Sequence, residues 1–184
     1  RRNYQDLSFC PQDNGVDLRE SKRRTLLALE MNAPRFSVYD PLNLAPADQA
    51  RLLEEGLLPA SFARLTESAL AADEGETMSV AVNTGEHVLI QARSRTEDLE
   101  SLAKRARGME AALSLPEHPY AWDSRFGLLS FKPVLAGGGL YVSLLLHLPM
   151  LSFLRQIRSL EEPLQRLLQG ADLPEKAQHR QVQD

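Results

Sequence analysis

The sequence has little cysteine, no excess of positive charge and no long uninterrupted hydrophobic run. Its one cysteine, Cys10, excludes an intramolecular disulfide, which favours a reducing compartment such as the cytoplasm. The longest apolar run, residues 140–154, contains Ser143, His147 and Pro149. We therefore expect a protein without a membrane-spanning helix or a membrane partner.

The charge balance argues against another class of partner. The 184 residues include 21 Lys and Arg against 25 Asp and Glu, a net charge of −4. Proteins that bind the nucleic-acid backbone usually carry a basic face that displaces counterions, so we expect no nucleic-acid partner. The four histidines are not spaced with cysteine or carboxylates as a metal site requires, so we expect no metal site.

The overall composition is that of a soluble globular protein, with 43% hydrophobic and 25% charged residues. The length suits one domain, which we expect over residues 1–170. Within it, residues 1–45 form an irregular or helical N-terminal segment. Residues 171–184 are polar and are expected to be a frayed tail.

Helical periodicity is clearest over residues 96–113, where Thr96 is the predicted N-cap and acidic residues follow in the first turn. Other predicted helices span residues 18–31, 47–58, 61–70 and 149–168. Between the first two of these, three prolines favour an extended segment.

Residues 77–82 alternate in the manner of a half-buried strand, and residues 87–92 are predicted to be the returning strand. Asn83 and Gly85 lie between them and tolerate positive φ, so a β-hairpin is predicted. A hairpin with helices grouped around it indicates an α+β fold, an antiparallel sheet flanked by helices that cover one face.

A glycine-rich segment follows the predicted helix over residues 96–113. We expect an apolar strand before Lys132, a loop over residues 132–139, and a second strand over residues 140–146. Such a loop can hold an anion through backbone N–H groups or can simply turn the chain, and the sequence leaves both open. The residues of a residual anion-binding loop would be Lys132, Gly137, Gly138 and Gly139.

The residues by themselves indicate little catalytic chemistry. Cys10 has no histidine near it in the sequence, which favours a structural thiol over a nucleophile. Glu86 and His87 could form an acid/base pair, but adjacent strand residues point to opposite faces. His147, inside an apolar run, is more typical of a hydrogen-bonded core histidine.

Four stretches match a known family in order and spacing. They are Arg2-Asn3, Leu52-Leu-Glu-Glu-Gly-Leu-Leu-Pro59, Val82-Asn-Thr-Gly-Glu-His-Val-Leu-Ile-Gln91, and residues 126–149. Over roughly residues 1–157 the chain resembles the ATP:guanido phosphotransferases, most of all the bacterial protein arginine kinases. The third stretch is similar to that family's Asn-Glu-Glu-Asp-His hairpin, and the fourth to its Cys-Pro-Thr-Asn and Gly-Thr-Gly-Leu-Arg segment. The resemblance implies a truncated guanido kinase catalytic domain.

The resemblance also implies that several functional positions carry other residues. Where the family has paired glutamates, this chain has Thr84 and Gly85, and neither accepts a proton. Lys132 stands at the family's cysteine, where its ammonium would repel a guanidinium. Leu89 and Tyr141 stand where the family has phosphate-binding arginines. These departures predict a pseudoenzyme without catalytic residues of its own.

We therefore predict a regulatory or protein-binding pseudokinase domain that needs no cofactor. Its partner would be an active arginine kinase or another component of the same pathway, and an unpaired sheet edge would also permit a homo-oligomer. Two alternatives stay open. One is a domain that binds phosphoarginine, or ATP or ADP with magnesium; the other is a phosphotransferase with relocated catalytic residues, of which Glu86 and His87 are the first candidates.

Overall fold

The computed structural model describes residues 1–9, 15–40, 42–58, 67–143 and 150. The chain divides into two compact units, Arg1–Gly137 and Gly138–Asp184. The strands and helices that position the candidate site belong to the first unit.

A four-stranded antiparallel sheet forms the centre of the first unit. Its strands lie side by side in chain order: β1 (Ser37–Tyr39), β2 (Ala69–Ala72), β3 (Met78–Val82) and β4 (Val88–Ala92). β3 and β4 form the predicted hairpin, in which Val82 lies opposite Val88. The structure thus confirms the α+β class and the antiparallel sheet.

β2 lies where the sequence predicts the end of a helix over residues 61–70. Leu70 pairs with Tyr39 on one side and with Ala81 on the other, so the C-terminal end of the predicted helix is wrong. Residues 61–66 lie outside the described part of the chain. All four residues of β2 are buried. A strand buried on both faces lacks the alternation that identifies strands, and its alanines and leucine favour helix, which explains the error.

Three helices pack on the sheet: α1 (Gly15–Asn32), α2 (Pro46–Glu54) and α3 (Leu99–Leu113). Val80 of β3 packs in one core cluster with residues of α1 and with Leu113 of α3, whereas Ala81 packs in a second cluster with Leu52 of α2. Neighbouring residues of a strand point to opposite faces. The helices therefore cover both faces of the sheet, and the expectation of one covered face is wrong.

Helix α2 ends earlier than predicted. The sequence predicts a helix over residues 47–58, but the structure has it end at Glu54, and Gly56 then takes a φ of 69°. The Leu57 N–H returns to the Leu52 carbonyl at 3.0 Å, which closes the helix end. The predicted helix over residues 18–31 is confirmed as the slightly longer α1.

The N-cap of helix α3 lies two residues later than predicted, at Asp98 instead of Thr96. Asp98 is the N-cap, and its side chain accepts a hydrogen bond from the Ser101 N–H at 2.7 Å. The hydroxyl of Ser94 accepts from the N–H groups of Thr96 and Glu97, at 3.1 and 3.0 Å. This local turn keeps Thr96 out of the helix.

A short hairpin follows α3, formed by β5 (Trp122–Asp123) and β6 (Gly127–Leu128), and a 3-10 turn over Pro133–Leu135 comes after it. Gly127 has a φ of 72°, and a Cβ there would lie 2.8 Å from the Gly137 carbonyl oxygen. Of the apolar strand predicted just before Lys132, only the two residues of β6 form a strand.

In the second unit the structure describes residues 138–143 and 150. Residues 140–143 form no regular secondary structure, so the first half of the strand predicted over 140–146 is wrong; Gly139, with a φ of 62°, bends the chain just before it. The rest of that strand, the helix over 149–168 apart from Met150, and the tail lie outside the described residues. Within the described ranges, no helix is long and apolar enough to cross a membrane.

Candidate functional site

The loop that joins β3 to β4, residues 83–87, is the centre of the candidate site. Asn83 and Gly85 both have positive φ, 57° and 115°, as the hairpin prediction requires. The buried Asn83 amide donates to the Leu18 carbonyl at 2.8 Å, and its side-chain oxygen accepts from the Ser21 hydroxyl at 2.5 Å. Helix α1 therefore anchors the start of the loop.

Glu86 is the acidic residue of this loop, and only 6% of it is exposed. Each carboxylate oxygen accepts a hydrogen bond, Oε2 from the side-chain amide of Asn3 and Oε1 from the hydroxyl of Ser130. The Lys132 backbone N–H donates to the same hydroxyl oxygen at 3.1 Å. Ser130 thus connects the loop to the segment that carries Lys132.

Asn3 is fully buried and joins three parts of the first unit. Its side-chain oxygen accepts from the His87 backbone N–H at 2.8 Å, and its amide also donates to the Leu129 carbonyl at 3.2 Å. Its backbone carbonyl accepts from the Ala121 N–H at 2.8 Å. The N-terminal segment, the 83–87 loop and the β5–β6 hairpin are thereby fixed to one another.

The imidazole of His87 is buried between two aromatic rings. It stacks on Tyr4 at a centroid distance of 5.9 Å, and Phe9 meets it edge-on at 6.2 Å. The Tyr4 backbone N–H donates to Nδ1 at 3.1 Å, and Nε2 lies 2.9 Å from the Ser8 carbonyl oxygen. Burial lowers the pKa of His87 below its usual value of 6.5, so the ring is neutral at pH 7.

The structure places the other predicted site residues in different surroundings. Thr84 is half-buried and its hydroxyl has no partner among the described residues, whereas Gly85 and Lys132 are exposed. Leu89 lies in β4 and packs against the second core cluster. Tyr141 belongs to the second unit and is 36% exposed. Of the predicted positions, the 83–87 loop and Lys132 are connected through Ser130, and Leu89 packs against the core.

The predicted anion-binding loop begins in one unit and ends in the other, because Gly138 and Gly139 belong to the second unit. The Gly137 N–H donates to the Leu128 carbonyl at 3.0 Å, so this amide is already used within the protein. Anion binding by Lys132 and the three glycines stays a prediction.

The space beside the 83–87 loop is small. A cavity of about 10 Å³ lies there, room for about one water, lined by Phe9, Leu18, Asn83, Gly85, Glu86 and His87. Within the described part of the chain, the loop's two candidate bases are both engaged: the carboxylate of Glu86 and Nδ1 of His87 accept hydrogen bonds from the protein. No cluster of three metal-ligating side chains occurs among the described residues.

Asn3, Tyr4 and Ser130 were not identified as site residues from the sequence, although Arg2-Asn3 contributed to the family resemblance. Asn3 and Ser130 bond to Glu86 across 83 and 44 residues of chain. No local pattern reports such pairs. For Asn3 and Ser130 the one available signal is that they lie inside stretches that match the family in order and spacing; Tyr4 lies outside those stretches.

The chain is similar to known proteins in both sequence and structure. The sequence profile of the ATP:guanido phosphotransferase C-terminal catalytic domain matches residues 7–170. The protein-arginine kinase of Exiguobacterium sp. is 29% identical over 169 residues, which cover 90% of this chain and 47% of that protein. That of Symbiobacterium thermophilum is 29% identical over 176 residues, 90% of this chain and 48% of the relative. The chain spans about half the length of these relatives.

Solved structures of guanidino kinases share the fold at low sequence identity. Lombricine kinase superposes with a TM-score of 0.61 and 18% identity, over 75% of this chain and 43% of that one. The substrate-free duplicated taurocyamine kinase of Schistosoma mansoni gives a TM-score of 0.61 at 17% identity, over 74% of this chain and 21% of that one.

Proposed function

The chain belongs to the ATP:guanido phosphotransferase family, and we propose that it is a non-catalytic, protein-arginine-kinase-like domain that acts by binding a protein. The observation that carries the proposal is the 83–87 loop. Thr84 and Gly85 supply no carboxylate there. The carboxylate that the loop does contain, on Glu86, is buried with both oxygens bonded inside the protein.

Phosphoryl transfer to a guanidinium needs a group that accepts the proton of the attacking nitrogen, and groups that orient the reactants and balance phosphate charge. Loss of one preorganised electrostatic contact typically costs about 10²–10³ in kcat. Glu86 is buried and each of its carboxylate oxygens already accepts a hydrogen bond, which leaves it poorly placed to take a proton from a substrate nitrogen. The exposed ammonium of Lys132 would repel an incoming guanidinium.

A surface suited to protein binding lies elsewhere in the first unit. Trp122, Phe126 and Phe131, all on or beside the β5–β6 hairpin, are 62%, 54% and 47% exposed. Exposed aromatic side chains are enriched at protein interfaces. We propose an active arginine kinase, or another component of its pathway, as the partner, and the cytoplasm as the setting, since the chain has a single cysteine.

A phosphotransfer assay tests the catalytic half of the proposal. The purified chain is incubated with ATP, Mg²⁺ and either free arginine or an arginine-rich protein, and phosphoarginine is measured by phosphorus NMR. A protein-arginine kinase serves as the positive control. We expect no phosphoarginine above the protein-free sample. Product that disappears in Lys132→Ala or Glu86→Gln would overturn the proposal and favour relocated catalytic residues.

Calorimetric titration separates the proposal from a ligand-binding role. The chain is titrated with ADP, with and without Mg²⁺, and with phosphoarginine. We expect no saturable heat at micromolar ligand, because the Gly137 amide is occupied and the cavity beside the loop holds about one water. Saturable heat would instead favour a nucleotide- or phosphoarginine-binding domain.

A further inference from the structure

The N-terminal strap, residues 3–9, lies against the 83–87 loop. Asn3 bonds to Glu86 and to the His87 backbone, and Tyr4 and Ser8 both bond to the His87 ring. One imidazole therefore holds two points of the strap that are four residues apart.

These two contacts fix the protonation state of the ring. A backbone N–H can only donate, so Nδ1, which faces the Tyr4 N–H at 3.1 Å, has to be the unprotonated nitrogen. A carbonyl oxygen can only accept, so Nε2, 2.9 Å from the Ser8 oxygen, carries the hydrogen. Both contacts form only with a neutral His87 in its Nε2–H tautomer.

We propose that His87 is a proton-operated latch: a proton taken up at Nδ1 breaks the Tyr4 contact and frees the strap from the imidazole, while Asn3 keeps its own bonds to Glu86 and to the His87 backbone. The added N–H would point at the Tyr4 N–H, two donors facing each other in a buried site, so the protonated ring and the closed strap are incompatible. The latch does not depend on whether the chain has any kinase activity.

Desolvation of the buried ring has the largest influence on the pH at which the latch opens, and it leaves the pKa of His87 below 6.5. The hydrogen bond to the Ser8 carbonyl, Glu86 on the loop and Asp17 on α1 favour the imidazolium, and Arg24 on α1 disfavours it. The strap also contributes the Tyr4 and Phe9 rings.

Proton binding by His87 determines how the stability of the folded protein changes with pH. Because the folded state binds the proton less readily than the unfolded state, the closed latch stabilises the protein fully above pH 6.5. Its contribution falls as the pH drops from there to the lower folded-state pKa.

The strap stays tethered when the latch opens. Asp6, at its midpoint, accepts two hydrogen bonds of 2.8 Å from the Arg24 guanidinium. The hydrogen bond to Arg24 lowers the pKa of Asp6 below its usual 3.8, and the ion pair involves neither nitrogen of the His87 ring. The opening is therefore local and reversible.

Amide hydrogen exchange on the full chain, followed by NMR together with the ring-nitrogen shifts of His87, tests the latch. At neutral pH we expect an Nε2–H ring. One pH unit below the midpoint of the ring's titration, we expect Tyr4 amide protection, corrected for intrinsic exchange, to be about tenfold lower. The Val80 and Leu113 amides, in the core, should lose less protection than Tyr4, only as much as the lower global stability requires.

His87→Asn is the matched variant, since its Oδ1 can accept from the Tyr4 N–H but cannot be protonated. Its Tyr4 protection should not change over the same pH range. The proposal is overturned if Nδ1 carries the hydrogen at neutral pH, or if the ring titrates without loss of Tyr4 protection. It is also overturned if the core amides lose as much protection as the Tyr4 amide. If the variant does not fold, the ring-nitrogen shifts and the Tyr4 protection of the unaltered chain still test the latch.

Discussion

Single buried side chains connect segments of this protein that no element of secondary structure joins. The amide of Asn3 alone bonds to the loop at Glu86 and His87 and to the Leu129 carbonyl near the β5–β6 hairpin. In a site shielded from water, each of these groups would be costly to leave without a partner. The position of the loop therefore depends on this distant amide as well as on the loop's own sequence.

Replacement of Asn3 by alanine tests this dependence. The change leaves the His87 N–H and the Glu86 carboxylate short of a partner in a buried site, so we expect the free energy of unfolding to fall by about 2–4 kcal/mol. Urea denaturation followed by circular dichroism measures it. Gln5→Ala is the control, because Gln5 is exposed and its hydrogen bond to Pro119 comes from the backbone N–H, which alanine keeps. A loss for Asn3→Ala no larger than for Gln5→Ala would refute the role of this amide.

Among the secondary-structure elements, the turns with special backbone geometry are the ones most sensitive to substitution. Gly127 opens β6 with a φ of 72°, and the Gly137 backbone lies against its Cα. Gly108, in contrast, lies inside α3 with ordinary helical geometry and open space around it. The same substitution should thus have opposite effects at the two positions.

We expect Gly127→Ala to destabilise the β5–β6 hairpin by at least about 1–2 kcal/mol, from the left-handed backbone alone, with the 2.8 Å approach to the Gly137 oxygen adding to it. Gly108→Ala should stabilise the protein by about 0.5–1 kcal/mol, because alanine loses less entropy in a helix. Thermal unfolding followed by fluorescence of Trp122 measures both. Equal effects of the two changes would contradict the backbone assignment at Gly127.

For the whole molecule, the proposed function predicts a complex. We expect the chain to bind a purified protein-arginine kinase in biolayer interferometry, and Trp122→Ala with Phe126→Ala to weaken binding at least about tenfold, as loss of aromatic interface residues does. Met31→Ala is the matched control, since Met31 is 66% exposed on α1.

Three results would count against this partner or this surface. Absence of binding to the kinase contradicts the partner. Equal weakening by Met31→Ala contradicts the assignment of the surface to the β5–β6 hairpin. Sedimentation equilibrium of the chain alone tests the remaining outcome, in which a second copy of the chain, and not a kinase, occupies the surface.

The sequence by itself determined what depends on neighbouring residues and on ancestry. Asn83 and Gly85 between two predicted strands indicated the hairpin, apolar spacing predicted the long helix α3, and the matching stretches predicted the family. In each case the signal lies within a few residues, because turn geometry and helical periodicity are local properties.

Only the tertiary structure decided how those pieces pack. β2 is a strand because β1 and β3 pair with its two edges, although its residues favour helix. The partners of Glu86 and His87 are Asn3, Ser130 and Tyr4, which lie far away in the chain. Burial and hydrogen bonding between distant residues are set by the packed whole, and they determine which side chains of the loop remain free to act.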